Sequence, residues 1–531
     1  MKIRDAMIEN ESLSQKRGIV SAGPVLVVGA TGYVGGRLVP RLVERGHHVR
    51  AMGRSAAKLL CRPWGRHPLV EVVEGDVLDL QSLRQAARGC RSAVYLVHSM
   101  NARKAAFAEA DRRAAHNMVA AAQAAGLEQI VYLGGLGDPS ERSISKHLVS
   151  RHEVGAILQA GAVPATVLHA AMILGSGSAS FEILRYLVER LPVMITPKWV
   201  HTPSQPIAIT NVLGYLIGCL ETPATIGGTF DIGGPDVLTY RDLIDMFAEE
   251  AKLPRRRVIP VPVLTPALSA RWIHLITPVP ASIAQPLTEG LSIPTACREN
   301  RIRELVPQQL LSCREAIRIA LERIAQERVE TCWMDAGKLT APEWAHCGDA
   351  EYAGGTILAC GYRVRLRATP EEVWEPVVRI GGRNGWYFAD GLWWLRGAID
   401  RLAGGVGLRR GRRHPRDIQV GEALDFWRVL EVEAPHRLLL LAEMKMPGEA
   451  LLDIRVEALG KGRSQLTFHS RFLPRGLGGI LYWYTLYPFH EWIFRGMLNA
   501  IARRTGRFLE EGPERFTARL GQACSLPREN T

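Results

Sequence analysis

The stretch Val25-Leu26-Val27-Val28-Gly29-Ala30-Thr31-Gly32-Tyr33-Val34-Gly35 decides how this chain folds. An unbroken apolar run reads as a strand buried on both faces. It leads into glycines spaced three apart and then an amphipathic helix from about Tyr33 to Arg45, stopped at Gly46. Gly29 allows the tight turn, Gly32 lets the backbone approach a pyrophosphate, and Gly35 lets helix and strand pack closely. The helix N-terminus supplies amides and a favourable dipole, and Thr31, Tyr33 and Val34 complete the loop. Strand, spacing and helix together predict a dinucleotide site.

Outward from this unit, strands His48–Met52, Val70–Val73, Ala93–Val97, Gln129–Leu133 and Ala165–His169 alternate with helices near Ala105–Ala125 and Lys146–Ala160. Such alternation implies an α/β fold, a doubly wound parallel Rossmann sheet, whose clefts lie at the carboxyl ends of the strands. Thr229–Ile232 follows, and the proline-rich stretch Val258–Pro286 is expected as a small cap over that edge. The reading divides the chain into a disordered leader (1–23), the Rossmann domain with its cap (24–328), a linker (329–355), a second domain (356–512) and a tail (513–531). The second domain shows strands Thr356–Leu366, Leu424–Val432, Arg437–Met444, Leu451–Ala458 and Ser464–Phe472. A short helix, Pro370–Ile380, is capped by Thr369, and a long one runs over Trp483–Leu509. This is an α+β helix-grip pattern, one helix held by a curved antiparallel sheet.

Composition bounds the function. The 531 residues are 47% hydrophobic and 22% charged, which is an ordinary folded composition and too long for one core. A net charge of +13 permits attraction to phosphates or anionic lipids. No nucleic-acid partner is expected, because the arginines are dispersed and neither zinc-ligand spacing nor a basic recognition helix is present. The nine cysteines are scattered without a Cys-x-x-Cys pair, which suits a reducing compartment and gives no metal site. A cytoplasmic protein is the default. Peripheral membrane contact stays open, because Gly476–Phe489 carries five aromatic residues and no charge, suiting either an interface or a core. Arg409–Arg416, with five arginines and His414, suits a phosphate or lipid headgroup, or a solvated loop.

The end of the second strand would carry an acid in an NAD(H) site, but here reads Gly53-Arg54-Ser55. An arginine beside a hydroxyl suits the 2′-phosphate of NADP(H), unless Arg54 is merely a surface loop residue. Asp76 and Val77 after the third strand are placed to hold the adenine, and Val97 at the end of the fourth completes the cofactor set. His98, Ser99, His169, His201 and Gln205 each stand near a strand's carboxyl end and are candidates for the nicotinamide and substrate cleft.

The glycine loop, the Asp76 strand end and Phe230-Asp231-Ile232-Gly233-Gly234-Pro235 resemble the extended and atypical short-chain dehydrogenase/reductases over residues 24 to about 325. Tyr95–Met100, Val131–Gly137 and Gln205-Pro206-Ile207 look like its NmrA-like, NAD(P)H-binding group. The resemblance implies a Ser or Thr after the fifth strand and a Tyr-x-x-x-Lys pair. The chain has Gly134-Gly135 and His147-Leu-Val-Ser-Arg151 there instead. His147 would then serve as the acid, with Arg151 in place of the lysine; alternatively, both only bind cofactor or face solvent. His98 is a further candidate for direct chemistry, or else a satisfied structural histidine. Residues 356 to about 510 resemble a poorly characterised domain fused to such reductases and similar to START-like folds. The motifs are Gly385-Trp386-Tyr387, Gly404–Arg413, Asp425-Phe426-Trp427-Arg428 and Tyr487-Pro488-Phe489-His490. That likeness implies an apolar cavity lined by aromatics such as Trp386 and Trp427, or a tightly packed core. The expectation is an NADP(H)-dependent oxidoreductase acting on a hydrophobic carbonyl or enoyl compound, with a dinucleotide sensor and a sugar-nucleotide epimerase as alternatives. A homodimer is left open.

Overall fold

The computed structural model describes residues 23–60, 62–97, 107–138, 141, 144–261, 265–276, 281–291, 293–325, 357–408, 414 and 417–516. The chain divides into two compact units. One comprises Met1–Ser180, Ile195–Val263 and Pro286–Arg318; the other comprises Phe181–Met194, Leu264–Gln285 and Ile319–Thr531. The expected cap is therefore split, because Leu264–Gln285 belongs with the second unit. Periodicity shows that a helix has an apolar face but not which neighbour buries it. The leader up to residue 22, the whole linker (329–355) and the tail beyond residue 516 lie outside the described residues.

The first unit is built on seven parallel strands: β1 (Val25–Val28), β2 (Val49–Gly53), β3 (Val70–Glu74), β4 (Ser92–Tyr95), β5 (Gln129–Gly135), β6 (Ala165–Ala170) and β7 (Thr229–Ile232). Their order is β7-β6-β5-β4-β1-β2-β3. Alternation along β1 distributes the core. Val25 and Val27 join helices α1 (Gly35–Glu44) and α5 (Ile209–Glu221) on one face. Leu26 and Val28 join α2 (Leu80–Ala87), α3 (Phe107–Ala125) and α4 (Lys146–Gln159) on the other. The strand order reverses between β1 and β4, which opens the crevice of a doubly wound sheet at their carboxyl ends.

In the second unit, β8 (Leu358–Leu366), β9 (Ala423–Leu424), β10 (Trp427–Glu433), β11 (Arg437–Ala442), β12 (Gly448–Gly460), β13 (Arg463–Pro474) and β14 (Leu509–Phe516) form one antiparallel sheet in the order β9-β10-β11-β12-β13-β8-β14. Helix α6 (Pro370–Val378) opens with a reciprocal cap between Thr369 and Glu372. Helix α7 (Asp390–Leu402) precedes β9, and the 29-residue α8 (Gly476–Arg504) buries Trp483, Phe494, Met497, Leu498 and Ile501 with the inner face of the sheet. Three features depart from the sequence reading. Helix α8 begins at Gly476, before Trp483. Helix α7 was not foreseen, and neither was β14, which crosses the expected boundary at residue 512. Glycine, proline and acids make Leu509–Phe516 look like a tail, but its acids Glu510, Glu511 and Glu514 pair with Arg367, Arg365 and Arg363 beside it.

On the sheet's outer face Asp453 is buried and accepts from Arg437 at 3.0 and 3.1 Å and from Arg455 at 2.9 Å. Burial opposes its charge, but these hydrogen bonds outweigh that cost and hold its carboxyl below the usual range. Burial acts alone on His490 and first on His469, pushing both imidazoles down from 6.5 to about 4. Between those values the unfolded chain binds protons that the folded domain excludes, so stability is full above about pH 6.5 and falls as pH drops toward 4. Thermal unfolding should therefore begin at lower temperature at pH 5 than at pH 7.5. Replacing both histidines with glutamine should shrink that difference, and an unchanged one would show that other groups set it.

Candidate dinucleotide site and its catalytic edge

Gly29 turns the chain out of β1 with φ +94°, a conformation that glycine adopts without strain. A Cβ at Gly35 would lie 2.3 Å from the Gly29 carbonyl oxygen, so only glycine lets α1 press against the strand. Gly32 differs, because a Cβ there would meet only that same oxygen, at 3.3 Å. Its small size is needed less by the protein than by what approaches the loop. Val34 caps α1 without a side-chain hydrogen bond, and the first turn contains no acid. The helix dipole thus faces the crevice uncompensated, as an anion-binding end requires. Val97 borders the same place, since a Cβ on Gly29 would lie 3.2 Å from its Cγ2. These residues fit a dinucleotide pyrophosphate.

At the end of β2, Arg54 is exposed and the Ser55 hydroxyl caps the next turn through the Lys58 amide. A Cβ on Gly53 would strike Thr31 Cγ2 at 2.8 Å, so the strand end sits directly against the loop. Arg62, beyond that turn, donates to the Thr31 carbonyl at 3.4 Å. Asp76 accepts the Leu78 amide at 3.0 Å, shaping the turn after β3, and the Asn117 side chain fixes the Val77 carbonyl at 2.8 Å.

The other predicted site residues do not converge. Within α4, Arg151 donates to His147 Nε2 at 3.3 Å and to the Leu133 carbonyl at 3.2 Å. Burial, and then the guanidinium charge, push the His147 imidazole down to about 3. A neutral ring whose Nε2 accepts from a permanent cation does not suit a proton donor at neutral pH, which corrects the role expected of His147. Gln205 donates to the Gly234 carbonyl and accepts the Cys297 amide, both at 2.8 Å, so it ties loops together instead of facing a substrate. His201 is exposed on a single helical turn. His98 and Ser99 lie outside the described residues. In the second unit Trp386 and Trp427 are buried against Phe426, ring centroids 6.0 and 5.7 Å away, and the Trp386 indole donates to Asp425 at 3.0 Å. They fill a core, while Trp394 and Tyr484 are exposed.

One cluster went unrecognised in the sequence. His169, at the end of β6, has Nδ1 3.5 Å from an Asp231 carboxylate oxygen, and His152 of α4 meets its ring edge-on at 4.8 Å. A Cβ on Gly134 would lie 3.1 Å from His169 Cδ2 and 3.3 Å from Tyr132 Cε1. The imidazole occupies the space into which a hydroxyl side chain at residue 134 would project. Burial raises the Asp231 carboxyl less than His169 and Arg298 lower it, leaving it below the usual range. Burial and the neighbouring His169 lower His152, whose Nε2 is enclosed without a hydrogen-bond partner among the described residues. Asp231 stood in a quoted motif but pointed to no partner, because it meets His169 across paired strands 62 positions apart in sequence number only once β6 and β7 align.

The loop permits a clean separation of roles. Gly35→Ala should cost several kcal/mol, because backbone would have to move. Gly32→Ala should fold with nearly the parent melting temperature yet bind dinucleotide at least about tenfold more weakly. Equal melting losses, measured by calorimetry, would contradict that division.

Residues 29–173 match a family described as NAD(P)H-binding, and residues 352–497 match a family described as a protein of unknown function (DUF2867). The chain is 22% identical over 310 residues to NADH dehydrogenase [ubiquinone] 1 alpha subcomplex subunit 9, mitochondrial, of Arabidopsis thaliana, covering 55% of this chain and 77% of that one. It is 40% identical over 67 residues to a 3 beta-hydroxysteroid dehydrogenase/Delta 5-->4-isomerase of Mycobacterium tuberculosis, only 13% of this chain and 17% of that one. Among solved structures, a nucleoside-diphosphate-sugar epimerase of Staphylococcus aureus aligns at 16% identity and TM-score 0.46, and a triphenylmethane reductase of Citrobacter at 18% and 0.46. Each alignment covers 56% of this chain and 99% of the other. With strand order, glycine loop and family match in agreement, the first unit carries an NAD(P)H-binding domain on a parallel Rossmann-like sheet.

Proposed function

We propose that the protein is an NADP(H)-dependent oxidoreductase acting on a hydrophobic carbonyl or enoyl compound, with the C-terminal unit, read as a START-like fold, holding or delivering that compound. The observation that carries this reading is the acid-free, uncapped crevice of Gly29–Gly35 abutting Arg54 and Ser55. The turn after β2 itself reads Gly53-Arg54-Ser55, with no acid where an NAD(H) site would carry one, and the Glu74 carboxylate of β3 is taken up by the Ala56 amide at 2.9 Å. Arg54→Glu should weaken NADPH binding by at least about tenfold and leave NADH nearly unchanged. Titration by calorimetry decides it, and equal losses for both dinucleotides would remove the preference for NADP(H). The matched relatives include a hydroxysteroid dehydrogenase and a reductase by name, which supports redox chemistry on a polycyclic compound.

Nicotinamide, when bound, exchanges a hydride with the substrate carbon. The residues of this chain supply position and a proton. The Gly29–Gly35 backbone and the N-terminus of α1 would hold the pyrophosphate, and Arg54 with Ser55 would hold the ribose phosphate. In this reading His169, its Nδ1 3.5 Å from an Asp231 carboxylate oxygen, gives the proton to the carbonyl oxygen during reduction and takes it back during oxidation. Arg151 lies too firmly against His147 and the Leu133 carbonyl to relay protons. His169→Gln should lower kcat at least about a hundredfold with NADPH affinity retained. Steady-state rates across pH would show it, and an unchanged profile would exclude the imidazole.

The absence of the Tyr-x-x-x-Lys pair favours a second reading, a dinucleotide sensor without turnover. NADPH consumption with hydrophobic carbonyl compounds separates the two.

A further inference from the structure

The second unit hides its aromatic core, yet two of its helices leave apolar side chains in water. On α8, Leu481, Tyr484, Phe489 and Trp492 recur every three to five positions, and all are more than half exposed. On α7, Trp394, Leu395, Ile399 and Leu402 follow the same helical rhythm, with Leu402 85% exposed. The helices are neighbours of opposite direction: Phe388, before α7, packs edge-on against Trp492 at 4.8 Å, and Arg396 donates to the Tyr482 hydroxyl at 3.4 Å. A soluble domain seldom tolerates so many large apolar side chains on adjoining elements unless something covers them.

We propose that these faces of α7 and α8 seat the protein on an anionic lipid bilayer. This goes beyond the redox reading and does not depend on it. Three observations choose a bilayer as the occupant. First, the exposed residues are rich in tryptophan and tyrosine, whose amphipathic rings favour the depth between headgroups and acyl chains. Second, charge around them is one-sided. In the sequence, residues 390–416 contain seven arginines and two aspartates, and residues 475–495 contain two arginines and one glutamate. One of those aspartates, Asp400, is turned inward, accepting the Gly407 and Lys445 amides at 2.8 and 2.7 Å. Third, a second copy would bring two such basic faces together, whereas anionic headgroups would neutralise them. No helix among the described residues is long and apolar enough to cross a membrane, so the contact is with the surface.

The test is co-sedimentation of the full chain with vesicles of phosphatidylcholine alone and with about a quarter phosphatidylserine, read together with tryptophan emission. Binding should be restricted to the anionic vesicles, shift the emission to shorter wavelength and weaken with salt. Leu481→Asp with Phe489→Asp should reduce it at least about tenfold while leaving melting temperature and NADPH affinity unchanged, because both side chains are exposed. Leu395→Asp with Ile399→Asp should do the same from α7. Should an acidic pair prevent folding, the milder Leu481→Ser with Phe489→Ser must still weaken binding. Wild-type protein that ignores anionic vesicles, or variants that bind like wild type, would overturn the proposal. So would a dimer in analytical ultracentrifugation that these substitutions disperse, which would assign the surface to a second copy.

Discussion

The approach of α1 to β1 at Gly35 governs the first unit. A Cβ at Gly35 would lie only 2.3 Å from the Gly29 carbonyl oxygen, so the helix can start this close to the strand only without one. That proximity sets the direction of the helix axis, and with it the aim of its N-terminal end. It also fixes where the loop meets the neighbouring strand ends, so that Thr31 touches Gly53 and Gly29 touches Val97. An anion site on a sheet edge is thus a by-product of packing. The glycine that faces the ligand, Gly32, only becomes useful because the two flanking glycines have already determined the geometry.

The same economy of space explains the arrangement around the ends of β5 and β6. Gly134 and Gly135 stand where the resemblance calls for a hydroxyl, and both are surrounded: one by His169 and Tyr132, the other by Leu148 and Arg151. A serine at residue 134 would compete with the imidazole. The absence of a hydroxyl at residue 134 and the presence of a histidine beside a carboxylate are therefore one structural event.

How much of this was legible depended on whether a property is local. Strand and helix positions of the Rossmann core could be read because burial on both faces leaves continuous apolar runs, as in Val25–Val28 and Gln129–Gly135. Arg54 and the glycine loop are likewise neighbours in the sequence or one strand away. His152, His169 and Asp231 meet only after three elements pack, and nothing in their individual surroundings announces the others. His147 looked available because sequence cannot reveal that Arg151, one helical turn on, points at its ring. In the second unit, aromatic abundance predicted a hydrophobic interior but could not distinguish Trp386, which is enclosed, from Trp394, which faces outward.

The order of strands in that unit also has a consequence for synthesis. The first strand to leave the ribosome, β8, is an inner strand, flanked by β13 and β14, the last two to be made. Ser464 bonds Ala368 across 96 positions and Glu514 bonds Arg363 across 151. Until those partners emerge, both hydrogen-bonding edges of Leu358–Leu366 stay unmatched. The domain closes only when its final strand arrives, so a nascent chain passes most of its elongation with a sticky ribbon that a chaperone must shield or that neighbouring copies can capture.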